Sequence, residues 1–375
     1  MLQACSKKEN SNPNPLTSRP ITPGLRRPIL NGKVNFPLTM APMVGLSHTS
    51  FRRLIRHYLP EDAELIWPTE MLNSRRLPRE TLGQTPETYR HPSEQQGYLV
   101  PQLLGNEDEP LRLSVQKLEE WGVCGIDINM GCPVSKALKH NYGVALMGDP
   151  HYAAEVVRMV TRVANVPVSV KLRAVESGNI QELKAFVDGL IAAGASWLTL
   201  HPRRGSQKRR GEADWSQIAW LREQIPCALI GNGDIQTSDD IHRMFQETSC
   251  DAVMVGRALT ARPWLFWQWS EQNGAWNFPR NFQAQKAPQG PEEEAFEYGK
   301  ALRLLLQFMT EDFSSEALAL RKFHFFVKTG SVWLNFGQEL CGITHRATSA
   351  AALEGELEAF FKQDLLMSER TELRQ

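Results

Sequence analysis

No apolar run in this chain approaches the ~20 residues needed to span a bilayer. Neither charge sign is in surplus, since 42 Lys and Arg stand against 42 Asp and Glu in 375 residues. The first absence argues against a helical membrane protein. The second removes any global pull toward nucleic acid, so a charged partner must be held by local patches. CxxC pairs are also missing. The six cysteines (Cys5, Cys124, Cys132, Cys227, Cys250 and Cys341) are scattered singly. They form no disulfide framework, offer no zinc-ligand spacing, and suit a reducing cytoplasm. Met1 to Cys5 lack the charged start and hydrophobic stretch of a secretion signal. The expectation is a soluble cytoplasmic protein with no metal, no membrane contact and no evident protein partner, acting as a monomer.

What is present is a regular alternation. Residues 1–36 are rich in Asn, Pro, Ser, Lys and Arg and read as a disordered leader. From residue 38, short apolar and β-branched runs at 38–42, 65–70, 98–104, 125–129, 166–173, 197–201, 227–231 and 252–255 alternate with stretches of helical period. Eight such strands over this length predict a (β/α)8 TIM barrel across 37–277, of the α/β class. A doubly wound sheet would show a Gly-rich turn after its first strand, but Met43-Val44-Gly45 lacks that pattern. Residues 278–291 read as a linker and 292–375 as an all-helical domain.

Residues at the carboxyl ends of barrel strands converge on one site. Here these are Ala41-Pro42-Met43, Gln102, Asn129 with Cys132, Lys171 with Arg173, His201 with Arg203, Asn232-Gly233-Asp234 and Gly256-Arg257. The run Asp127-Ile128-Asn129-Met130-Gly131-Cys132-Pro133 places a thiol on a tight turn, with Gly131 permitting the bend and Pro133 stopping the strand. An isolated cysteine is commonly only a small buried hydrophobe. Lys171 and Arg173 share a strand face, which calls for an anionic ligand or for salt bridges to unseen carboxylates. The loops after the seventh and eighth strands can form a phosphate site, or their glycines can be plain turn residues.

Cations cluster at 201–210, at Arg52, Arg53 and Arg56, and at Arg75, Arg76 and Arg79, a pattern that fits solvated loops or a phosphate-backbone footprint. Residues 291–375 hold fourteen acidic and nine basic residues, with the cations concentrated in Arg321, Lys322 and Lys328 beside His324. Any RNA contact by this region is expected there.

The segments Ala41-Pro42-Met43-Val44-Gly45, Gln102-Leu103-Leu104-Gly105, Asp127 to Pro133, Lys171-Leu172-Arg173, Asn232-Gly233-Asp234-Ile235 and Gly256-Arg257-Ala258 together resemble the tRNA-dihydrouridine synthases. These are flavoenzymes with an FMN-binding barrel and a C-terminal helical RNA-binding domain. The resemblance spans about residues 38 to 265; the helical tail matches in character only. It implies that NADPH or NADH reduces FMN, that hydride passes to C6 of a uracil in tRNA, and that Cys132 protonates C5. It further implies FMN contacts at Ala41, Pro42, Met43, Gln102, Lys171, His201, Asn232, Gly233, Asp234, Gly256 and Arg257. Asn129 and Arg173 would meet the uracil or its neighbours, and Lys136, Lys139 and Arg203 would meet the RNA substrate. Pro202 after the histidine and Asn141-Tyr142-Gly143 after the cysteine depart from the family pattern, which leaves the modified tRNA position open. Two other readings are weighed beside this one. The first is an FMN barrel acting on a free pyrimidine, as dihydroorotate dehydrogenases do; the second is a non-catalytic RNA-binding protein.

Overall fold

Short runs rich in apolar residues form eight parallel strands in the computed structural model. It describes residues 25–372 apart from 61, 95–97, 209 and 275–285, and apart from the side chain of Lys136. In chain order the elements are β1 (Leu38–Met40), α1 (Thr49–His57), β2 (Ile66–Asn73), β3 (Tyr98–Leu104), α2 (Asp108–Glu120), β4 (Ile126–Met130), α3 (Ser135–Leu138) and α4 (Pro150–Thr161). Then come β5 (Val168–Ala174), α5 (Ile180–Ala192), β6 (Trp197–Arg204), α6 (Trp215–Gln224), β7 (Ala228–Asn232), α7 (Ser238–Thr248), β8 (Ala252–Val255), α8 (Ala258–Ala261) and α9 (Leu265–Asn273). Helices α10 (Gly290–Asp312), α11 (Glu316–Gly330), α12 (Gly337–Arg346) and α13 (Ala350–Phe360) follow.

Backbone pairing runs from β2 through β3 to β8 and on to β1. Between β1 and β2 the Thr39 hydroxyl donates to the Ile66 carbonyl at 2.7 Å, so the sheet is a nearly closed barrel. The expected TIM barrel with C-terminal helices is present. The strand period of two sorts its residues. On β5, Val168, Val170 and Leu172 join the core beneath the helices, while Ser169, Lys171 and Arg173 take the other face. That alternation carries polar groups to the barrel mouth.

Three features differ from expectation. The crossover from β2 to β3 has no α-helix among its described residues, only short 3-10 turns at Leu77–Arg79 and Pro92–Glu94. Pro78, Gly83, Pro86 and Pro92 break any longer helix there. Residues 25–36, expected to be disordered, are packed: Ile29, Leu30 and Val34 enter one apolar cluster with Ile66, Val100, Trp197 and Ile230. These short apolar islands plug the barrel interior, although the surrounding composition is polar; residues 1–24 lie outside the described residues. Most of the expected linker likewise lies outside them, and α10 begins at Gly290 rather than 292.

Helix α10 packs on α1, and α11 packs on α8. The contact is tied by polar pairs: buried Arg262 with Glu294 (2.8 Å), Arg53 with Asp312 (2.7 Å), and the Tyr58 hydroxyl donating to Glu297 (2.7 Å). Arg52 is buried and paired with Glu94, and Lys322 is paired with Glu70 at 3.3 Å. Arg52, Arg53 and Lys322 therefore hold the scaffold together and are not available to an RNA backbone. Among the described residues no helix is long and apolar enough to cross a membrane.

Candidate active site

The parallel register sets the site in layers. Gln102 pairs with Asp127 and Asp127 with Ser169; one step up, Asn129 pairs with Lys171; above that, Arg173 pairs with His201. Where β4 ends, the Asn129 side-chain carbonyl accepts the backbone N–H of Gly131 (3.1 Å) and of Cys132 (2.9 Å). Arg173 Nε donates to the Gly131 carbonyl at 2.7 Å, and Val144 N–H donates to the Cys132 carbonyl at 3.1 Å. Gly143 takes φ +61°, and a Cβ there would lie 2.6 Å from the Cys132 carbonyl. Only glycine fits that approach. The turn that carries the thiol is therefore pinned from four directions.

Cys132 is 9% exposed and packs with Leu104, Ala137, Tyr142 and Met71. Burial raises its pKa above the ordinary thiol value, against the weaker pull of Val134 N–H, Arg173 and Lys171. The sulfur is thus protonated at neutral pH and lies within the field of both cations. Below it runs a ladder of amides. Asn129 Nδ2 donates to Gln102 Oε1 (2.6 Å), Gln102 Nε2 donates to Asp127 (2.6 Å), and the Ser169 hydroxyl donates to the other Asp127 oxygen (2.6 Å).

Across the mouth the character changes. Lys171 Nζ donates to Asn232 Oδ1 at 3.0 Å, and Asn232 Nδ2 donates to the Met254 carbonyl at 2.8 Å. Burial, then the charge of Arg173, pulls the Lys171 pKa down to about 8, with Asp127 and Cys132 acting in the opposite sense. His201 is held neutral, well below its usual range, first by burial and then by Lys171, Arg173, Arg203 and Arg257. Gly233 takes φ +120°, and a Cβ there would lie 2.9 Å from the His201 ring, so this loop can close on the histidine only as glycine. A Cβ on Gly256 would meet Ala41 and Met43 at 3.7 Å, which brings the β8 loop against the β1 loop. The Ser47 hydroxyl braces the latter by donating to the Ala41 carbonyl at 2.9 Å, while Met43 N–H donates to Ser47 at 2.8 Å.

Some expected substrate contacts are committed elsewhere. Arg203 is buried and forks onto Asp234 at 2.6 and 2.8 Å, with the Gly211 carbonyl as a third partner. Arg173 also donates to the Lys208 carbonyl at 2.9 Å, linking the Cys132 turn to the 204–208 turn. Both are placed to shape loops, because a planar guanidinium satisfied by fixed acceptors has little left for a ligand. Lys139 is exposed beside α3, and the side chain of Lys136 lies outside the described residues. Asp127, Ser169 and Gly143 were not singled out from sequence. Asp127 lies inside the cysteine motif, two residues before Asn129 on the same strand face, and that spacing was the available signal. Among the described residues no group of three or more His, Cys, Asp or Glu could hold a metal ion.

The family model described as "Dihydrouridine synthase (Dus)" matches residues 39–323. A "Probable tRNA-dihydrouridine synthase" of Rhizobium leguminosarum bv. phaseoli is 32% identical over 60% of this chain and 69% of its own length. The protein of the same name from Aquifex aeolicus is 32% identical over 62% of this chain and 72% of its own. The "tRNA-dihydrouridine synthase B" of Pasteurella multocida is 30% identical over 60% of this chain and 67% of its own.

Proposed function

The chain belongs to the dihydrouridine synthase family, and on that premise we propose that it reduces uridines in tRNA to 5,6-dihydrouridine, using FMN and NAD(P)H, as a cytoplasmic monomer. The observation that carries the reading is a buried thiol on a turn pinned by Asn129, Arg173 and Val144, within the field of Arg173 and Lys171. Lys171, Arg173, Arg203 and Arg257 all act on His201, with Asp127 acting on Lys171 and Asp234 paired with Arg203. Four cations converging on one histidine fit an anionic cofactor.

In this proposal Ala41, Pro42, Met43 and Gln102 line one wall of the FMN site. Lys171 and His201 meet the polar edge of the ring, and Asn232, Gly233, Asp234, Gly256 and Arg257 surround the phosphate. FMN, when bound, supplies the hydride that the uracil takes up at C6 and that NAD(P)H replenishes. Cys132 holds the proton required at C5, and burial keeps it on sulfur until the base arrives. Lys171 carries its charge up to about pH 8, while neutral His201 offers a hydrogen bond without adding a further charge. Asn129 holds the turn and lies beside the base. To reach the mouth the uridine must leave its stack, at a cost of a few kcal/mol.

The helical region is proposed as the second tRNA contact. An open groove of about 1150 Å³ there is lined by His324, Phe325, Lys328, Phe336 and His345 among others. Phe325 is 44% and Phe336 59% exposed, which suits base stacking beside cations. Exposed Arg204, Lys208 and Arg210, and Lys139 after the cysteine turn, would hold flanking phosphates.

The test is to incubate the purified chain, loaded with FMN, with NADPH and unmodified tRNA, and to map dihydrouridine by mass spectrometry. Formation at defined positions supports the proposal. Turnover of free orotate or uracil without tRNA, or failure to bind FMN at all, overturns it.

A further inference from the structure

The ladder beneath the cysteine turn has a direction. A carboxamide presents nearly the same shape in either of its two orientations, so its sense must be set by its neighbours. At the lower end Asp127 receives Gln102 Nε2 on one oxygen and the Ser169 hydroxyl on the other. An ionised carboxylate only accepts. At the upper end the Gly131 and Cys132 backbone amides only donate, and both donate to Asn129 Oδ1. Between these ends, Gln102 and Asn129 have one consistent arrangement. If both were reversed, Asn129 would turn its NH₂ toward two backbone donors and leave both amides unpaired.

We propose that Asp127 is a positioning residue that fixes the sense of the Gln102–Asn129 ladder and thereby the placement of the Cys132 turn. This inference deepens the reading of the mouth as a flavin and uridine site and rests on it for its effect on turnover. The directed ladder points Gln102 Nε2 at Asp127 and Gln102 Oε1 at Asn129. It also places the second Asn129 Nδ2 hydrogen toward Met71 Sδ, 3.2 Å away. Asp127 has a second consequence through its charge. Lys171 faces Asp127, Cys132, Arg173 and His201, and of these Asp127 does most to favour the ammonium form. Removing that charge shifts loss of the Lys171 proton to lower pH.

The experiment compares Asp127→Ala and Asp127→Asn with wild type in the full FMN-loaded chain. Three quantities are measured: hydrogen exchange at the Gly131 and Cys132 amides, kcat and KM for tRNA, and the pH profile of kcat. For Asp127→Ala, amide exchange quickens and kcat falls about tenfold or more, with KM for tRNA little changed, as when a group supporting a functional ligand is lost. Asp127→Asn keeps the shape and restores most of the exchange protection, but the alkaline limb of kcat moves down by about one pH unit. Unchanged exchange in Asp127→Ala, or an unchanged limb in Asp127→Asn, overturns the proposal. If Asp127→Ala does not fold, the limb in Asp127→Asn decides alone. A wild type that forms no dihydrouridine, yet shows the exchange difference on substitution, defeats the functional reading while the ladder stands.

Discussion

On the β3 to β5 side of the barrel mouth, polar groups answer one another: Asp127 takes Gln102 and Ser169, Gln102 takes Asn129, and Asn129 takes the Cys132 turn. On the β6 to β8 side cations converge on one histidine instead. His201 sits in the field of Lys171, Arg173, Arg203 and Arg257, and Arg203 is also paired with Asp234 at 2.6 Å. A closed network makes a rigid holder for one thiol, whereas the clustered cations make the proposed receptor for an anion. Lys171 stands between the two, bonded to Asn232 on one side and facing Asp127 on the other. On the proposed function, the same barrel separates holding a proton from binding what delivers electrons.

The largest effect expected on the receptor side comes from Lys171→Ala. Flavin binding weakens visibly, and kcat/KM falls by about 10²–10³, the range for removing one electrostatic donor. The wild type also loses turnover as pH rises through about 8, because Lys171 gives up its charge there. A pH–rate profile flat to pH 10 would remove Lys171 from this role. On the holder side, Gly143→Ala forces a side chain against the Cys132 carbonyl at positive φ. It should cost about 1–3 kcal/mol in thermal or denaturant unfolding. Unaltered stability with unaltered activity would show the turn to be looser than described. The smallest effects are expected outside both regions. Arg204→Ala and Arg210→Ala should each weaken tRNA binding a few-fold and lower the salt dependence of log K by about one. An unchanged salt slope would place the RNA elsewhere.

Much of the candidate site is legible in the sequence because barrel strands deliver their last residues to one end. Asn129, Lys171, His201 and Asn232 are found from alternation and strand order alone, and the register confirms their adjacency. Partnership was not legible. Arg203 looks like a free cation in sequence, yet its carboxylate lies on another strand's loop, 31 positions away. Asp127 sits within the cysteine motif, but its role depends on cross-strand pairing with Gln102 and Ser169, which no local pattern encodes. The plug formed by Ile29 and Leu30 was hidden for a different reason: two apolar residues in a polar stretch carry no period. The arginines of α1 misled because sequence cannot separate a cation facing solvent from one facing a second packed unit.

The contrast between holder and receptor is tested most directly by resolving the two half-reactions of Cys132→Ala in rapid mixing. The account predicts that FMN binding and its reduction by NADPH proceed as in wild type, while oxidation of the reduced enzyme by tRNA, with dihydrouridine formed, slows by about 10²–10⁴, the span of a lost general acid. Wild-type rates in both half-reactions would contradict it.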